Sequence, residues 1–386
     1  MKTSFLKFCI IFLFLFSIVG LFPQFVHADP PDERDPGETY SRAKVLQVLN
    51  QGIQNLSGTK TYNETVKVQF VEGNEKGKVI TVGYSNDARF GTRQIINKND
   101  LVIIDSKPDA SGKMFYVLYD PYRLNTLWWI LGAFVLLVIV VVGKKGFGAL
   151  VGLGISILVI LEYILPQILN GKDPLTTCIL GAIAILFVTT YVAHGISIKT
   201  TVALIGTAIS LIFAAILSYI AVQITYLLGI GDPNSYALQI STTYDINPQG
   251  IFLGGIIIGT LGALNDITTT QSMTIFTMAK ENPKQSILQL YWKSMYIGRE
   301  HIISMINTLV LAYAGTSLSI FLFFSFNPAH LPWWLLLNDQ ATMEEIIRAL
   351  VGSAALVLAV PITTILASWI SLNRKKIFKK ISIQWT

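Results

Sequence analysis

The sequence predicts an all-α polytopic membrane domain of about seven transmembrane helices, preceded by a small all-β extracytoplasmic domain. Two observations lead to this fold class. Of the 386 residues, 52% are hydrophobic and only 13% are charged, whereas a soluble protein carries about 25% charged residues. The long apolar runs all lie after residue 123, apart from one at the N-terminus, while residues 29–122 hold 12 basic and 13 acidic residues.

The N-terminus has the layout of a secretory signal. Lys2 and Lys7 precede an apolar run, and the run ends in Val26-His27-Ala28, which supplies small residues at the cleavage positions. We expect residues 1–28 to be a signal peptide cleaved after Ala28. The alternative is an uncleaved signal anchor, and both place residue 29 outside the cytoplasm.

Five short segments rich in Val, Ile and Tyr predict strands in the region that follows, which begins with a Pro- and acid-rich linker. They are Ala43–Leu49, Thr65–Val71, Lys78–Tyr84, Leu101–Asp105 and Lys113–Tyr119. Turn-forming residues at 72–77 and 109–112 predict hairpin loops. Five strands in so short a region predict an OB-like or another small barrel. Because charges are balanced and aromatic and basic residues do not cluster, we expect no nucleic-acid partner. We expect a binding or docking module, and the alternative is a structural cap.

Seven apolar runs predict membrane-spanning helices. Each is near or above the roughly 20 residues needed to cross the hydrocarbon core, and lipid offers the backbone no hydrogen bonds, which leaves helices. The runs are Leu124–Val142, Phe147–Leu165, Leu175–Ala193, Thr201–Leu228, Ile251–Gln271, Ile302–Phe324 and Ile346–Leu372. They define a transmembrane domain over residues 123–372, followed by a basic tail over residues 373–386.

Basic residues orient these helices. With residue 29 outside, the predicted cytoplasmic segments carry 12 Lys and Arg residues, and the outer loops carry one, Lys172. This bias follows the positive-inside rule, and the Trp pairs at 128–129 and 333–334 fall near the outer interface, where indole rings are favoured. We therefore expect a plasma-membrane protein with its ectodomain outside and its C-terminus in the cytoplasm.

Asp266 is the charged residue in these runs that most needs an explanation, because a charge inside the membrane costs roughly 2.5–3.5 kcal/mol. It lies about 22 Å along the fifth span, in the cytoplasmic half of the bilayer. Gly255, Gly259 and Gly262 share its helix face. Small residues on one face let a second helix approach closely, so we interpret this stripe as a helix-packing surface, with Gly315 as its counterpart on the sixth span.

The sixth span offers polar partners for Asp266. Asn307 lies about 8 Å into the core from the cytoplasmic side, which matches the depth of Asp266. We interpret the region as a cation- or proton-coupled site built from Asp266, Asn265, Asn307, Thr269, Thr270, Arg299 and Glu300. The alternative is a hydrogen-bonded packing cluster that holds two helices in register. Glu162 and His194, near the ends of the second and third spans, are interpreted as interface residues.

Motifs of membrane enzymes and ATPases are missing from the sequence. It has no G-x-x-x-x-G-K-[ST] P-loop and no H-E-x-x-H zinc site. An intramembrane aspartyl protease needs two carboxylates at membrane depth, and Asp266 is the single Asp within a predicted span. Cys9 and Cys178 provide neither a disulfide framework nor a zinc site. We therefore expect no enzymatic activity, no metal and no cofactor.

Three sequence blocks resemble the YibE/F family of bacterial multi-pass membrane proteins. They are Gly259–Asp266, Gly298–His301 and Asn307–Gly315, and the resemblance covers most of residues 40–370. In that family the first block usually reads Gly-Ala-x-x-Asp before a Ser-rich stretch, part of which is occupied here by Thr268–Thr270. The family has no established biochemical activity. Its members are described as membrane proteins or predicted transporters, and shorter members lack the ectodomain.

Together these features lead us to expect a transporter or permease component of a bacterial plasma membrane, with its site between the fifth and sixth spans. The alternative is a non-transporting scaffold or sensor whose ectodomain binds an envelope ligand or partner. The resemblance implies a paralogue without the ectodomain as a partner. A homo-oligomer is left open, and the lipid bilayer is the surrounding medium.

Overall fold

A computed structural model describes residues 38–56, 59–87, 96–108, 112–240, 246–327 and 329–381. The predicted signal segment and most of the predicted loop at 109–112 lie outside the described residues. The chain divides into two units, one that contains the strands and ends at Val140 and one that begins at Val141 and contains the remaining helices.

The first unit is built on a five-stranded antiparallel sheet. Its strands are β1 Thr39–Leu56, β2 Thr59–Phe70, β3 Val79–Asp87, β4 Leu101–Pro108 and β5 Met114–Pro121. All five predicted strands are confirmed, and each is longer than predicted. Their order across the sheet is β3-β2-β1-β4-β5.

The sheet curls into a half-barrel. Shifts in register between Val45 and Gln47 and between Val48 and Asn50 mark bulges in β1, and bulges bend a strand and increase its twist. β3 and β5, at the two ends of the sheet order, also contact each other. Alternate residues point to the concave side, where the core consists of Ala43, Val45, Val66, Val68, Phe70, Val82, Ile96, Val102, Ile104 and Leu118.

The helices of the described chain follow the sheet. They are α1 Leu124–Val142, α2 Lys144–Leu169, α3 Pro174–His194, α4 Ile198–Thr225, α5 Pro233–Ile240, α6 Pro248–Glu281, α7 Ile287–Thr316, α8 Leu318–Phe326, α9 Trp333–Leu337 and α10 Gln340–Ile381. α2 contains one π-helical turn, Ile160–Ile164. Pro166 follows this turn and has no N–H to offer the carbonyl of Glu162.

Within the described residues, six helices are each long and apolar enough to cross a membrane: α1, α2, α3, α4, α6 and α10. α7 and α8 pass the same test together, but they are bent by 61° at the break between them. A continuous helix over Ile302–Phe324 is therefore wrong. The break falls at Ser317, directly after Gly315 and Thr316, and small and hydroxyl-bearing residues are a common cause of sharp kinks.

α6, α7 and α10 extend well beyond the apolar runs that predicted them. α6 continues to Glu281 and α7 begins at Ile287, so most of the predicted cytoplasmic segment 272–301 is helical. α6 ends before Pro283, because a residue that precedes proline disfavours the helical conformation. α7 starts with a capping box, in which Ser286 and Gln289 each bond the other's backbone N–H.

α6 is the central helix of the second unit. It packs against α3, α4, α7 and α10. The apolar core around it includes Ala182, Leu186, Leu211, Ile257, Leu261, Leu264, Ala355, Leu356, Ala359 and Val360. Any site on α6 is therefore positioned by helices from distant parts of the sequence.

Candidate functional site

The glycine stripe of α6 lies on the exposed side of that helix. Gly259, Gly262 and Asp266 are exposed, and Gly255 is half-buried. A Cβ atom added at Gly262 would meet no atom within 4 Å, and the same holds for Gly315 on α7. These two glycines therefore do not form a close helix contact within the described residues.

The structure brings Asn265 and Asp266 together with the end of α3. The hydroxyl of Thr190, which is fully buried, donates a 2.8 Å hydrogen bond to Asn265 Oδ1. His194, the last residue of α3, lies close enough to Asp266 for their charges to interact, and Lys145 at the start of α2 is also in electrostatic range of His194. This group of Thr190, His194, Asn265 and Asp266 is called the inner polar group below.

His194 is a residue whose position the sequence interpretation missed. The available signal was weak, since it consisted only of two titratable residues on the predicted cytoplasmic halves of different helices. Which of the seven spans lies beside α6 cannot be read from hydropathy. The interpretation of His194 as an interface residue therefore did not include its proximity to Asp266.

The residues proposed on α7 do not join the inner polar group. Asn307, Arg299 and Glu300 are all exposed. Among the described residues, none of the three forms a hydrogen bond or an ion pair with Asp266. Their place in a site with Asp266 stays a prediction.

Thr269 and Thr270, two of the three consecutive threonines after Asp266, point to different surfaces. Thr269 is buried and Thr270 is exposed, because successive residues of an α-helix are rotated by about 100°. Thr270 therefore shares the exposed side of α6 with Asp266. The Thr269 hydroxyl faces the helix bundle, where it has no hydrogen-bond partner among the described residues.

A second polar layer, which the sequence interpretation also missed, lies on the buried side of α6. Thr268 and Thr207 of α4 join their hydroxyls at 2.5 Å. The Gln271 amide donates to the Ser294 carbonyl of α7 at 3.1 Å and to the Thr364 hydroxyl of α10 at 2.9 Å. These buried bonds tie four helices together, so the packing interpretation fits this layer.

The other end of the glycine stripe faces Arg348 of α10. Its guanidinium carbon lies 5.3 Å from the centre of the Phe252 ring, and its Nη2 lies 3.4 Å from Glu345 Oε1. Tyr313 of α7 is in electrostatic range of both charges. The sequence carried a signal for this group, because Arg348 is the single Lys or Arg within the seven predicted runs.

Metal-binding side chains do not cluster in the part of the chain that the structure describes. No three His, Cys, Asp or Glu residues there lie together as ligands of a metal ion would.

Comparison with protein families matches residues 130–373 to the YibE/F-like protein family. The match runs from within α1 to Asn373 in α10. It therefore includes the inner polar group, the second polar layer and Arg348, and it leaves out the sheet. Comparisons with curated proteins and with solved structures find no match. Because the family match covers more than half of the sequence, and agrees with the three blocks that resemble the family, this chain belongs to the YibE/F-like family.

Proposed function

We propose that this protein is a transporter or permease component of the bacterial plasma membrane, with an ion- or proton-coupled site at Asp266. The observation that carries this proposal is the 2.8 Å hydrogen bond from Thr190 to Asn265. It joins the end of α3, where His194 lies, to the turn of α6 that carries Asp266, and both helices are apolar enough to span a membrane. An acidic group within a membrane span is costly and needs a partner or a function. An imidazole changes its charge near neutral pH and can exchange a proton with a carboxylate.

The geometry of the inner polar group suits binding and release of a cation. Thr190 holds Asn265 and thereby couples α3 to the turn of α6 that carries Asp266. On the glycine side of α6 the neighbouring space is open, as the surroundings of Gly262 illustrate. A proton or cation that reaches Asp266 from this side changes the attraction between Asp266 and His194, and so changes the force between the two helices.

The broken helix between α7 and α8 also favours transport. Helices interrupted at membrane depth commonly line the substrate sites of secondary transporters, because their free backbone ends bind ions. The predicted contributions of Asn307, Arg299 and Glu300 belong to the exposed surface of this broken span. They remain part of the proposed pathway, rather than of the group that holds Asp266.

In the proposed topology the signal segment is cleaved, the sheet lies outside the cytoplasm and the C-terminus lies inside. The twelve-to-one distribution of basic residues supports this orientation. The sheet is proposed to be an OB-like barrel. The order β3-β2-β1-β4-β5, with β3 in contact with β5, supports that assignment. A paralogue without the sheet, or a second copy of the chain, is the proposed protein partner.

Proton flux into reconstituted vesicles tests the role of Asp266. The vesicles contain the purified protein and the pH-sensitive dye pyranine, and a potassium diffusion potential energises them. The small molecules that pass through a dialysis membrane from a bacterial extract are added outside. Asp266→Asn should abolish the protein-dependent flux, and His194→Gln should reduce it. Glu162→Gln is the matched control, because Glu162 is an exposed carboxylate in another candidate span.

The three variants are first compared by gel filtration and helical circular dichroism, so that only folded protein enters the assay. Equal flux for Asp266→Asn and the wild type would contradict the proposed site. Loss of flux in Glu162→Gln as well as in Asp266→Asn would show a general effect of removing charge, and would also count against it.

A scaffold or sensor is the second candidate function, and the exposed face of β5 favours it. Phe115 and Tyr119 are 62% and 61% exposed, and Tyr119 makes an edge-to-face contact with Tyr40 at 5.3 Å. Exposed aromatic side chains are typical anchors of protein interfaces. If this function is correct, Phe115→Ser with Tyr119→Ser should abolish cross-linking to an envelope partner, while Asp266→Asn should leave the cross-linking intact.

A further inference from the structure

We infer that Arg348, Tyr313 and the glycine side of α6 form a binding site for a small oxyanion, the carboxylate or phosphate group of a ligand. Gly255 and Gly259 precede Asp266 by 11 and 7 residues, or about 16 and 10 Å along the helix axis. The oxyanion site is therefore distinct from the inner polar group. Binding there does not require that the protein transports anything.

Arg348 brings N–H donors that its neighbours satisfy only in part. A guanidinium has five N–H donors and no acceptor. Its ion pair with Glu345 is a single contact at 3.4 Å, in place of the paired bonds of a bidentate contact. Its Nε is buried and has no hydrogen-bond acceptor among the described residues. The face of the Phe252 ring supplies the remaining favourable contact.

The nearby Glu344 does not complete the pairing of Arg348 in this geometry. Its carboxylate is buried and accepts the backbone N–H of Gly231 at 3.0 Å. It therefore holds the loop between α4 and α5. Both Glu344 and Glu345 lie in electrostatic range of Arg348, so what remains available to a ligand is its set of N–H donors without an acceptor.

Tyr313 brings a second donor to the same place. Its hydroxyl oxygen is buried and has no hydrogen-bond partner in the part of the chain that the structure describes. A buried hydroxyl without a partner costs free energy, so such a group calls for an explanation. A ligand that accepts a hydrogen bond from Tyr313 while it pairs with Arg348 supplies one.

Both donors lie beside glycines of one turn of α6. Arg348 Nη1 lies 3.9 Å from the position of a Cβ at Gly255, and the Tyr313 hydroxyl lies 3.1 Å from that of a Cβ at Gly259. The two glycines are one helical turn, about 6 Å, apart. An oxyanion bonded at about 2.8 Å to each of two donors bridges roughly 5–7 Å. This span is comparable to the separation of the two glycines.

The chemistry of the unpartnered groups selects the ligand class. Both the guanidinium and, toward an anion, the tyrosine hydroxyl act as donors, so the complementary group is an anion with several acceptor oxygens. A planar guanidinium fits a carboxylate or a phosphate in particular. Such an oxyanion belongs either to a soluble small molecule or to the headgroup of an anionic phospholipid, and the two sources are separated by experiment.

Thermal unfolding of the full-length protein in a zwitterionic detergent tests the soluble source. Sodium phosphate and sodium succinate are titrated separately against sodium chloride at equal ionic strength. For the lipid source, native mass spectrometry measures how much phosphatidylglycerol, relative to phosphatidylcholine, stays bound to the protein. Saturable stabilisation by phosphate or succinate, or preferential retention of phosphatidylglycerol, is the expected result for the wild type.

Three variants should weaken this binding: Arg348→Gln, Tyr313→Phe and Gly259→Ala. Loss of a charge-assisted hydrogen bond should weaken binding about tenfold or more in Arg348→Gln. Gly259→Ala places a methyl group 3.1 Å from the Tyr313 hydroxyl, whereas Gly262→Ala meets nothing within 4 Å and serves as its matched control. If Arg348→Gln does not fold, the comparison of oxyanion binding by Gly259→Ala and Gly262→Ala tests the site instead.

Any of three results would overturn the oxyanion site. One is a wild type that responds to phosphate, succinate and phosphatidylglycerol no more than to chloride and phosphatidylcholine. Another is equal binding by the wild type and the folded site variants, and the third is equal loss in both glycine variants. Asp266→Asn should bind the oxyanion as the wild type does, so failure of the proposed proton site is distinguishable from failure of this one.

Discussion

Gly298 and Gly262 offer a direct test of how the helices of the second unit pack, because the same substitution should have opposite effects at the two positions. A Cβ at Gly298 on α7 would lie 2.5 Å from Val360 Cγ1 on α10 and 3.0 Å from the amide nitrogen of Gln271 on α6. A Cβ at Gly262 would meet nothing within 4 Å. The sequence had suggested Gly262, and not Gly298, as a packing residue.

The magnitude of each effect follows from these distances. Carbon atoms pack at about 3.5–4.0 Å, so Gly298→Ala forces Val360 or the helix backbone to move by about 1 Å. Overpacking of this kind typically costs about 1–3 kcal/mol, and alanine recovers roughly 1 kcal/mol of helix propensity over glycine. The difference between the two terms is a net loss of about 0–2 kcal/mol at Gly298. At Gly262 there is no overpacking cost, so only the higher helix propensity of alanine counts. The substitution should therefore be neutral or stabilising by up to about 1 kcal/mol.

The measurement is reversible unfolding of the purified protein in mixed micelles with increasing SDS, followed by circular dichroism. A double-mutant cycle adds specificity to the test. Val360→Ala removes both methyl groups of that side chain, including the Cγ1 that the new side chain would meet, and by itself should cost about 1–3 kcal/mol. Combined with Gly298→Ala, it should destabilise by about 2 kcal/mol less than the sum of the single variants.

Two outcomes would refute this reasoning. Additive free energies for Gly298→Ala and Val360→Ala would mean that the two residues do not touch. Equal destabilisation by Gly262→Ala and Gly298→Ala would mean that the glycine stripe of α6 packs against a helix after all, as the sequence suggested.

Substitutions at three further positions probe other contacts. Thr190→Val removes the donor to Asn265 and should cost about 1–2 kcal/mol in SDS unfolding, while Thr190→Ser keeps the hydroxyl and should restore most of it. Glu344→Ala leaves a backbone N–H of the loop between α4 and α5 without its acceptor and should cost about 1–3 kcal/mol in the same assay. The hydrogen bond from Arg42 lowers the pKa of Glu72 below 4.5, so this pair stabilises the fold fully above pH 4.5 and less as the pH falls through the folded-state pKa. The difference in melting temperature between Glu72→Gln and the wild type should therefore be largest near neutral pH and shrink in acid.

The strands show how far a local pattern can carry a prediction. Alternating apolar residues such as Val66, Val68 and Phe70 reflect a sheet with one buried side, and they are visible in the sequence because the period of a strand is two residues. The order of the strands is not visible in the same way. It depends on the long-range pairing of β1 with β4, which brings Ala43 beside Val102.

The helices were predictable for a related reason, and their ends were not. A run of apolar residues long enough to cross a bilayer must be helical, because lipid cannot satisfy the backbone. The same rule does not say where a helix stops once it leaves the apolar region. The continuation of α6 to Glu281 and the bend at Ser317 are therefore features that hydropathy does not report.

For this protein, the sequence by itself determined the class of fold, the positions of the strands and of the long apolar helices, the family, and the place of Asp266 within one of those helices. Each of these depends on composition or on neighbours along the chain. Only the tertiary structure decided that Asp266 lies near His194 and that the glycine stripe leads to Arg348 and Tyr313. The physical reason is that these side chains come from helices far apart in sequence. Their proximity depends on which helices pack against α6, and close packing is a property of surfaces in three dimensions.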